Sequence, residues 1–326
     1  MSILVSGSLA YDHIMDFQGY FKDHILPEKV HIINVSFLVN SLRKQRGGCG
    51  PNIAYNLALL GERPLVVGTV GHDFADYQAW LDEAGVDTSG IKVIPDEFTA
   101  SCFISTDKSS NQITGFYPGA MNFAHDLHVG DFNPSEIQLA IISPNDPQAM
   151  VSHVKECQEL NVPYIYDPGQ QVIFLEGPEM LEAMKGSRAV IGNDYELGII
   201  EKKTGLTPSD LLQYTDLVIV TRGEFGSTLI TAEHTVDAPV AREKAVVDPT
   251  GGGDAYRAGI IKGLLNGYSL EQMGRVAALT ATYCIENYGT QSHAFTSSEF
   301  LARYNENFPD VPLPEATIVE RKTLNV

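Results

Sequence analysis

Five short apolar runs recur along this sequence at intervals that leave room for a helix between them. They read PLVVGTVG, QLAIIS, PYIYD, AVIGN and LVIVTRG, and intervening segments such as DPQAMVSHVKECQELN have helical length. Runs that are apolar at every position are typical of strands buried on both faces. Buried strands that alternate with helices form a parallel sheet covered on both sides. The pattern therefore predicts an α/β fold with a mostly parallel central sheet and helices on both faces.

Two segments break this rhythm and predict a second, smaller sheet. Residues 11–46 and 98–118 contain alternating or polar β-like stretches, in which TASCFIST, the polar turn DKSSNQ and ITGFYPG form a predicted hairpin. We therefore expect residues 1–10, 47–97 and 119–326 to form the α/β core, and the two segments to form a small β lid inserted into it. An exposed lid strand could pair across a homodimer, or charge on its edge could prevent this.

The charge balance excludes several classes of partner. With 22 Lys and Arg against 41 Asp and Glu, the net charge is −19, which repels nucleic-acid backbones and anionic membranes. No run of about 18 apolar residues is present, and the opening MSILVSGSLAYDH has no basic region. We expect a cytoplasmic protein that binds small molecules, with neither nucleic acid nor membrane as a partner. The four cysteines are widely spaced, without C-x-x-C, which fits a reducing compartment: Cys49, Cys102, Cys157 and Cys284.

The segment VVDPTGGGDAYRAGI places Gly251, Gly252 and Gly253 directly before Asp254 and a predicted helix. A glycine run lets successive N–H groups converge on an anion, and the helix N-terminus adds partial positive charge there. A carboxylate beside such a site can accept the proton of an attacking hydroxyl, which suits phosphoryl transfer. The alternative interpretation is tight helix–strand packing with Asp254 as an ordinary N-cap, and composition alone favours neither.

Other common motifs are absent from the sequence. No Gly-Lys pair occurs, which excludes a Walker-type phosphate loop, and GGCGPN lacks the last glycine of the dinucleotide-binding pattern G-x-G-x-x-G. No H-E-x-x-H motif occurs, and HDLH at His125 and His128 is more typical of a solvated loop than of a metal site. Because the dinucleotide-binding pattern is incomplete, a dinucleotide-dependent dehydrogenase is unsupported.

Two segments, GGCGPNIAYNLALLG and DPTGGGDAYRAGI, resemble the two signature segments of the ribokinase (PfkB-type) family of carbohydrate and purine kinases. Between them, NDYE at 193–196 resembles the family's N-x-x-E motif, and TRGEFGS resembles its T-x-G-x-x-G nucleotide loop. GSLAYDHIMDFQGYF, FYPGAM and NDPQAM are similar to bacterial adenosine kinases of the mycobacterial type. The resemblance spans essentially the whole chain. It implies a ribokinase-like fold and ATP-dependent transfer of a phosphoryl group to a ribose hydroxyl, the 5′-hydroxyl of adenosine above all.

The resemblance also implies roles for the residues of the phosphoryl-transfer site. Asp254 would be the general base, and the amides of the three glycines before it would stabilise charge on the transferring phosphoryl group. Asn193 and Glu196 would help hold Mg²⁺ and its waters near ATP, which fits oxygen ligands. Read without the resemblance, NDYE is a common helix N-cap.

Further matching residues would serve the nucleotide and a monovalent cation. Thr221, Gly223 and Gly226 would line the ATP phosphates or ribose, although TRGEFGS alone is simply a strand that ends in a turn. Asp248 and Thr250 would contribute to the K⁺ site that many members of the family have.

On the acceptor side, the resemblance implies that Asp12 binds ribose, since one carboxylate can accept hydrogen bonds from two neighbouring hydroxyls. Phe116, in the predicted lid, would be a platform for a purine ring. The other candidate residues for the acceptor site are Ser8, Ser36, Gly48, Asn52, Gln170 and Gln171.

The identity of the acceptor depends on which residue of the first lid strand faces the pocket. An adenosine site of this type has an aromatic residue there, and the strand offers Cys102 followed by Phe103. Neighbours on a strand face opposite sides, so only one of the two can do so. If Cys102 does, one stacking partner is missing. Two alternatives therefore stay open, a ribose or fructose kinase and a non-catalytic nucleoside-sensing protein that kept the fold.

Overall fold

The structure is a computed structural model that describes residues 2–32, 34–109 and 111–314. Met1, Ile33, Ser110 and residues 315–326, which the predicted segments include, lie outside the described residues. The strands are β1 (Ser2–Ser6), β2 (Ala10–Phe17), β3 (Val39–Gly47), β4 (Pro64–Gly71), β5 (Ile91–Ile94), β6 (Ala100–Thr106), β7 (Gln112–Tyr117), β8 (Ile137–Ile142), β9 (Tyr164–Tyr166), β10 (Ala189–Asn193), β11 (Val218–Thr221), β12 (Ser227–Ile230) and β13 (Thr235–Ala238). The α-helices are α1 (Cys49–Leu59), α2 (Ala75–Glu83), α3 (Pro147–Leu160), α4 (Gly177–Met184), α5 (Asp194–Thr204), α6 (Gly252–Asn266), α7 (Leu270–Ile285) and α8 (Ser297–Asn307).

In the described part of the chain, nine strands form the central sheet, in the order β13-β12-β11-β10-β9-β8-β1-β4-β5. Every pair from β11 to β5 is parallel, and β12 and β13 add an antiparallel edge. The predicted mostly parallel sheet is therefore confirmed. Within the described ranges, no helix combines the length and apolar character that a membrane span requires.

Two hydrophobic cores lie on opposite faces of this sheet. Val5 of β1 packs in one core with Ile53 of α1 and Ile260 of α6. Leu4, its neighbour on the same strand, packs in the other core with Met150 of α3. Because alternate residues of a strand point to opposite faces, a run that is apolar at every position fills both cores. Helices therefore cover both faces, as the sequence predicts.

Four strands form the second, smaller sheet, in the order β3-β2-β6-β7. β2 runs antiparallel to β3 and parallel to β6, and β6 and β7 form the predicted hairpin. Asp107 stabilises its turn by accepting hydrogen bonds from the amides of Ser109 and Asn111. These strands come from the two segments assigned to the lid, but the division of the chain into core and lid stays a prediction. So does any pairing of two chains through an edge strand.

The carboxyl ends of the parallel strands meet at one edge of the central sheet. There β1, β8, β9, β10 and β11 end at Ser6, Ile142, Tyr166, Asn193 and Thr221. In open α/β sheets, ligands bind in the crevice outside this edge. The fold therefore indicates where a binding site should be sought.

Candidate active site

A cavity of about 650 Å³ lies at this edge, bounded by the N-terminus of α6 and by Phe116 of the small sheet. A cavity of this size is typical of small-molecule sites. Many of the predicted site residues line it: Ser8, Phe116, Gln170, Gln171, Asn193, Glu196, Thr221, Gly251, Gly253 and Asp254.

The glycine run has a conformational reason. Gly251 is the N-cap of α6 and has φ +80°, a left-handed conformation that favours glycine. A Cβ atom at Gly251 would also lie 2.8 Å from Cγ2 of Thr290, and one at Gly252 would lie 2.9 Å from Cγ2 of Ile285. Since real Cβ atoms do not approach other atoms so closely, larger residues would displace the turn that starts the helix.

The backbone amides of this turn are free to bind an anion. Among the described residues, none accepts a hydrogen bond from the amides of Gly251, Gly253 or Asp254. The amide of Gly252 differs from these, because it donates to the carbonyl oxygen of Pro249 at 3.3 Å. Unpaired amides at a helix N-terminus form an anion-binding site. Of the three predicted glycine amides, two are therefore available for a phosphoryl group.

Asp254 lies in the first turn of α6, next to these amides. Its Oδ2 atom accepts a hydrogen bond from Nδ2 of Asn52 at 2.8 Å, and Gln291 in turn holds Oδ1 of Asn52 at 2.9 Å. Burial raises the pKa of Asp254 to about 6, although Arg257 and the hydrogen bond from Asn52 act in the opposite direction. A carboxylate with this pKa is ionised at neutral pH, and its other oxygen can accept a proton from a hydroxyl group.

The register of the small sheet decides which lid residue faces the same side as Asp12. Asp12 on β2 pairs with Cys102 on β6, and Cys102 pairs with Phe116 on β7. Directly paired residues share a face, so these three side chains lie on the same side of the sheet. Phe103 faces the other side, where its ring stacks on His13 with centroids 4.7 Å apart. Cys102 and not Phe103 therefore lies beside Phe116.

The loop between β3 and α1 fits closely around Asp12. A Cβ atom at Gly47 would lie 2.5 Å from Oδ2 of Asp12, so glycine makes room for the carboxylate. Gly48 has φ +89°, and a side chain there would clash with the carbonyl oxygen of Ser8. Burial, followed by the charge of Asp248, raises the pKa of Asp12 to about 6. Asp12 thus carries a partly shielded carboxylate whose charge depends on pH in the physiological range.

Asn193 and Glu196 form a reciprocal cap at the start of α5. Oδ1 of Asn193 accepts from the amide of Glu196, and Oε2 of Glu196 accepts from the amide of Asn193, each at 2.8 Å. The N-cap interpretation of NDYE is therefore correct, and both residues also line the cavity. Burial raises the pKa of Glu196.

The donor set fits a hydrated Mg²⁺ better than a caged one. The cap uses only Oε2 of Glu196, so its Oε1 atom could accept a hydrogen bond from a metal-bound water. Among the described residues, no group of three or more His, Cys, Asp or Glu could hold a metal ion. Mg²⁺ usually binds through substrate phosphates, waters and one or two protein oxygens. The role of Asn193 and Glu196 near Mg²⁺ stays a prediction that this geometry permits.

Asp248 and Thr250, predicted for K⁺, hold the loop before α6. Asp248 accepts hydrogen bonds from the amides of Thr250 and Gly289, each at 3.0 Å. Burial opposes the shift, but these bonds hold the pKa of Asp248 below its ordinary value. An ionised carboxylate beside a backbone loop suits a monovalent cation, and that role stays a prediction.

The predicted nucleotide loop is a tight turn between β11 and β12. Thr221 lines the cavity at the end of β11. Gly223 and Gly226 have φ of +54° and +81°, and the amide of Arg222 closes the turn on the carbonyl oxygen of Gly226 at 2.8 Å. The two glycines shape the turn, and their contact with a nucleotide stays a prediction.

Ser36 is a candidate that the structure does not bring to the cavity. It is exposed in the segment before β3, and it is not among the residues that line the cavity. The contact of Ser36 with the acceptor stays a prediction, as it does for Asp12, Gly48 and Asn52, which also do not line this cavity.

The sequence analysis missed several residues that line the cavity, among them two with charged side chains and one amide, namely Asp167, Arg257 and Asn145. Nδ2 of Asn145 and Oε1 of Gln171 are buried without a hydrogen-bond partner in the described part of the chain. Buried polar atoms normally have partners, so both atoms are available to a ligand. One signal was present, because Asp167 follows β9 directly and Asn145 comes three residues after the end of β8, at the edge where ligands bind.

Comparisons with known proteins agree with this geometry. Residues 7–296 match the family model described as pfkB family carbohydrate kinase. The nucleoside kinase of Methanocaldococcus jannaschii is 29% identical over 303 residues, which are 92% of this chain and 96% of that protein. The match therefore extends over nearly the full length of both chains.

Solved structures give the same result. The nucleoside kinase of Burkholderia thailandensis in complex with inosine is 38% identical, with a TM-score of 0.86 over 96% of this chain and 100% of that one. The same enzyme in complex with ADP-inosine gives a TM-score of 0.84 over 99% of this chain and 100% of that one.

Proposed function

The chain belongs to the pfkB family of carbohydrate kinases and is a phosphotransferase that acts on a hydroxyl of a nucleoside or sugar, and on this basis we propose a specific acceptor. The proposed reaction is transfer of the γ-phosphoryl group of ATP to the 5′-hydroxyl of a purine nucleoside, adenosine above all. The observation that carries the proposal is the shared face of Asp12 and Phe116. A carboxylate suits the ribose hydroxyls, and an aromatic ring suits the base.

The single aromatic residue on this face supports a purine site of moderate selectivity. Cys102 occupies the position between Asp12 and Phe116, so the small sheet supplies one ring and not two. A base that stacks on one side alone keeps its apolar contact with Phe116, but the pocket restricts the shape of that base less. The nucleoside kinase of B. thailandensis was solved with inosine, so hypoxanthine belongs beside adenine in the test. The unpaired atoms of Asn145 and Gln171 offer one donor and one acceptor to such a ligand.

Transfer itself depends on position and charge. With the ribose held by Asp12, the acceptor hydroxyl would donate its proton to Asp254, whose orientation is fixed by the hydrogen bond from Asn52. The open amides of Gly251 and Gly253 would donate hydrogen bonds to the phosphoryl oxygens and so stabilise their charge. Mg²⁺ that arrives with ATP neutralises phosphate charge. Asp254, Gly251 and Gly253 line one cavity, as transfer to a bound acceptor requires.

The acceptor panel tests this proposal. We expect adenosine and inosine to have a kcat/KM about a hundredfold above that of ribose or fructose, roughly 2.7 kcal/mol of discrimination. The measurement is ADP release with Mg²⁺ATP, with guanosine and cytidine included to compare bases. A preference for ribose or fructose would replace the nucleoside assignment with a sugar kinase. Tight nucleoside binding without ADP release would instead indicate a sensing protein.

Phe116→Ala should weaken the use of nucleosides but not of ribose. Stacking of a base on an aromatic ring contributes about 1–3 kcal/mol, so we expect the KM for adenosine to rise about tenfold. The matched control is Phe103→Ala, because Phe103 lies on the neighbouring strand and faces away from Phe116. Steady-state kinetics with both acceptors separates the two variants. Equal effects of the two substitutions on adenosine would remove Phe116 from the base site.

A further inference from the structure

A buried ion pair lies directly behind the anion-binding turn. Arg257 binds Asp167 through both arms of its guanidinium group, with Nε at 2.5 Å from Oδ2 and Nη2 at 2.6 Å from Oδ1. The side chain of Arg257 is 10% exposed and that of Asp167 is 1% exposed. Ser143 donates a further hydrogen bond to Oδ2 of Asp167 at 2.9 Å. The guanidinium group is therefore fixed in position and in plane.

The third nitrogen of this guanidinium group lies within hydrogen-bonding distance of the anion-binding turn. Nη1 of Arg257 donates to the carbonyl oxygen of Gly253 at 3.1 Å, and a Cβ atom at Gly253 would lie only 3.1 Å from the same nitrogen. Residues three apart on a helix share a face, which places Asp254 beside Arg257. Gly253, Asp254 and Arg257 line the same cavity, and so does Asp167. The ion pair is thus part of the wall that a phosphoryl group would approach.

We propose that Arg257, held by Asp167, is a positioning residue for phosphoryl transfer. It fixes Gly253 in the anion-binding turn, and its positive charge keeps the neighbouring carboxylate of Asp254 ionised and able to accept a proton. The proposal rests on the base role of Asp254 given above, and it adds two residues, Asp167 and Arg257, that this role requires.

Stability alone gives little reason for such a pair. A buried ion pair costs desolvation that its attraction offsets only in good geometry, and apolar replacements of similar size often serve stability as well. The chain has a second part-buried pair, Arg303 with Glu286, whose side chains are 11% and 9% exposed. That pair does not line the cavity. Substitution of Arg303 therefore measures how much stability is lost with a part-buried arginine outside the cavity.

The charges around Asp254 show why a cation is needed there. Burial raises the pKa of Asp254 most, the charges of Asp167 after β9 and of Asp12 from β2 raise it further, and Arg257 lowers it. Glu196 from α5 is a further acidic group whose charge acts on Arg257. The thiols of Cys49 on α1 and Cys284 on α7 also sense the charge of Asp254. Clustered carboxylates cannot all ionise without a nearby positive charge, and Arg257 supplies it.

The experiment compares pH profiles of kcat for Arg257→Met, Arg257→Lys, Asp167→Asn and the control Arg303→Met. For Arg257→Met, we expect kcat to fall about a hundredfold with little change in acceptor KM. The acidic limb of the pH profile, where kcat falls as the pH decreases, should move up by about 1–3 pH units. Arg257→Lys keeps the charge, so its acidic limb should stay near that of the wild type while kcat falls less. Arg303→Met should change thermal stability without changing the pH profile.

Asp167→Asn gives the opposite shift. It removes a negative charge near Asp254, so the acidic limb should move down, while the loss of the bidentate partner of Arg257 lowers kcat. A purely structural role for the pair would not produce limb shifts of opposite sign. If Arg257→Met fails to fold, Arg257→Lys and Asp167→Asn carry the test.

Three outcomes would overturn the proposal. They are an unshifted limb in Arg257→Met, an equal loss of kcat in Arg303→Met, or a limb in Arg257→Lys displaced as far as in Arg257→Met. The assay uses whichever acceptor the panel identifies. A different acceptor would therefore revise the proposed function and leave the test of Arg257 intact.

Discussion

Asp254→Asn is expected to lower kcat by about a thousandfold to ten-thousandfold while the protein still folds. The change removes the oxygen that would accept the proton of the attacking hydroxyl. It keeps the size of the side chain and its place in the first turn of α6. The amide can still contact Asn52, so the local packing should survive. Binding of both substrates should change little, because the loss falls on the chemical step.

The same substitution should raise stability at neutral and alkaline pH. The pKa of Asp254 in the folded protein is about 6, above its ordinary value of 3.8. The folded state therefore favours the protonated acid, and this contribution is present at low pH and is lost as pH rises through about 6. Asparagine cannot ionise, so its advantage should grow from about pH 4 to about pH 8 and reach about 1–3 kcal/mol. Thermal unfolding at both pH values measures it.

A matched control separates the role of Asp254 from that of a first-turn aspartate in general. Asp76 lies in the first turn of α2, is exposed and is outside the main cavity. Asp76→Asn should leave kcat close to that of the wild type. Turnover of Asp254→Asn within about tenfold of the wild type would contradict the assignment of a general base, whose contribution is larger than that.

The fold could be predicted because its signals are local. The inner parallel strands β4, β8, β9, β10 and β11 are apolar at nearly every position, since their residues fill a core on both faces of the sheet. The anion-binding turn is also local. Gly251 needs a positive φ, and Asp254 follows it in the first helical turn, so a short motif contains both requirements.

The parts of the site that depend on long-range pairing could not be predicted from the sequence. Whether Cys102 or Phe103 lies beside Phe116 depends on strand register, and a shift of one residue would exchange them. Asp167 and Arg257 are 90 positions apart, and no recognisable motif contains both of them. Their partnership becomes visible only when β9 and α6 meet at the edge of the sheet.

Asp12→Ala is expected to affect the acceptor and not ATP. Hydrogen bonds to a charged group contribute about 1.5–3 kcal/mol, so the loss of a carboxylate that binds ribose should lower kcat/KM for adenosine about a hundredfold or more. The KM for ATP should stay close to that of the wild type. The control is Asp16→Ala, because Asp16 lies on the same strand but its carboxylate is already bound by Ser41 and Arg43. Equal kinetics in Asp12→Ala and Asp16→Ala would remove Asp12 from the acceptor site.

The pH dependence of kcat/KM tests the role of Asp12 more sharply, because the proposed roles require the carboxylates of Asp12 and Asp254 to be ionised at the same time. The pKa values of Asp12 and Asp254 are both about 6, and the charge of Asp12 raises the pKa of Asp254. Below about pH 6, kcat/KM of the wild type should therefore fall about a hundredfold per pH unit, and that of Asp12→Ala only about tenfold. The limb of Asp12→Ala should also lie at lower pH, since one neighbouring negative charge is gone. A steep limb in Asp12→Ala would mean that a second group other than Asp12 must ionise, and the carboxylate on β2 would then have no part in binding the ribose.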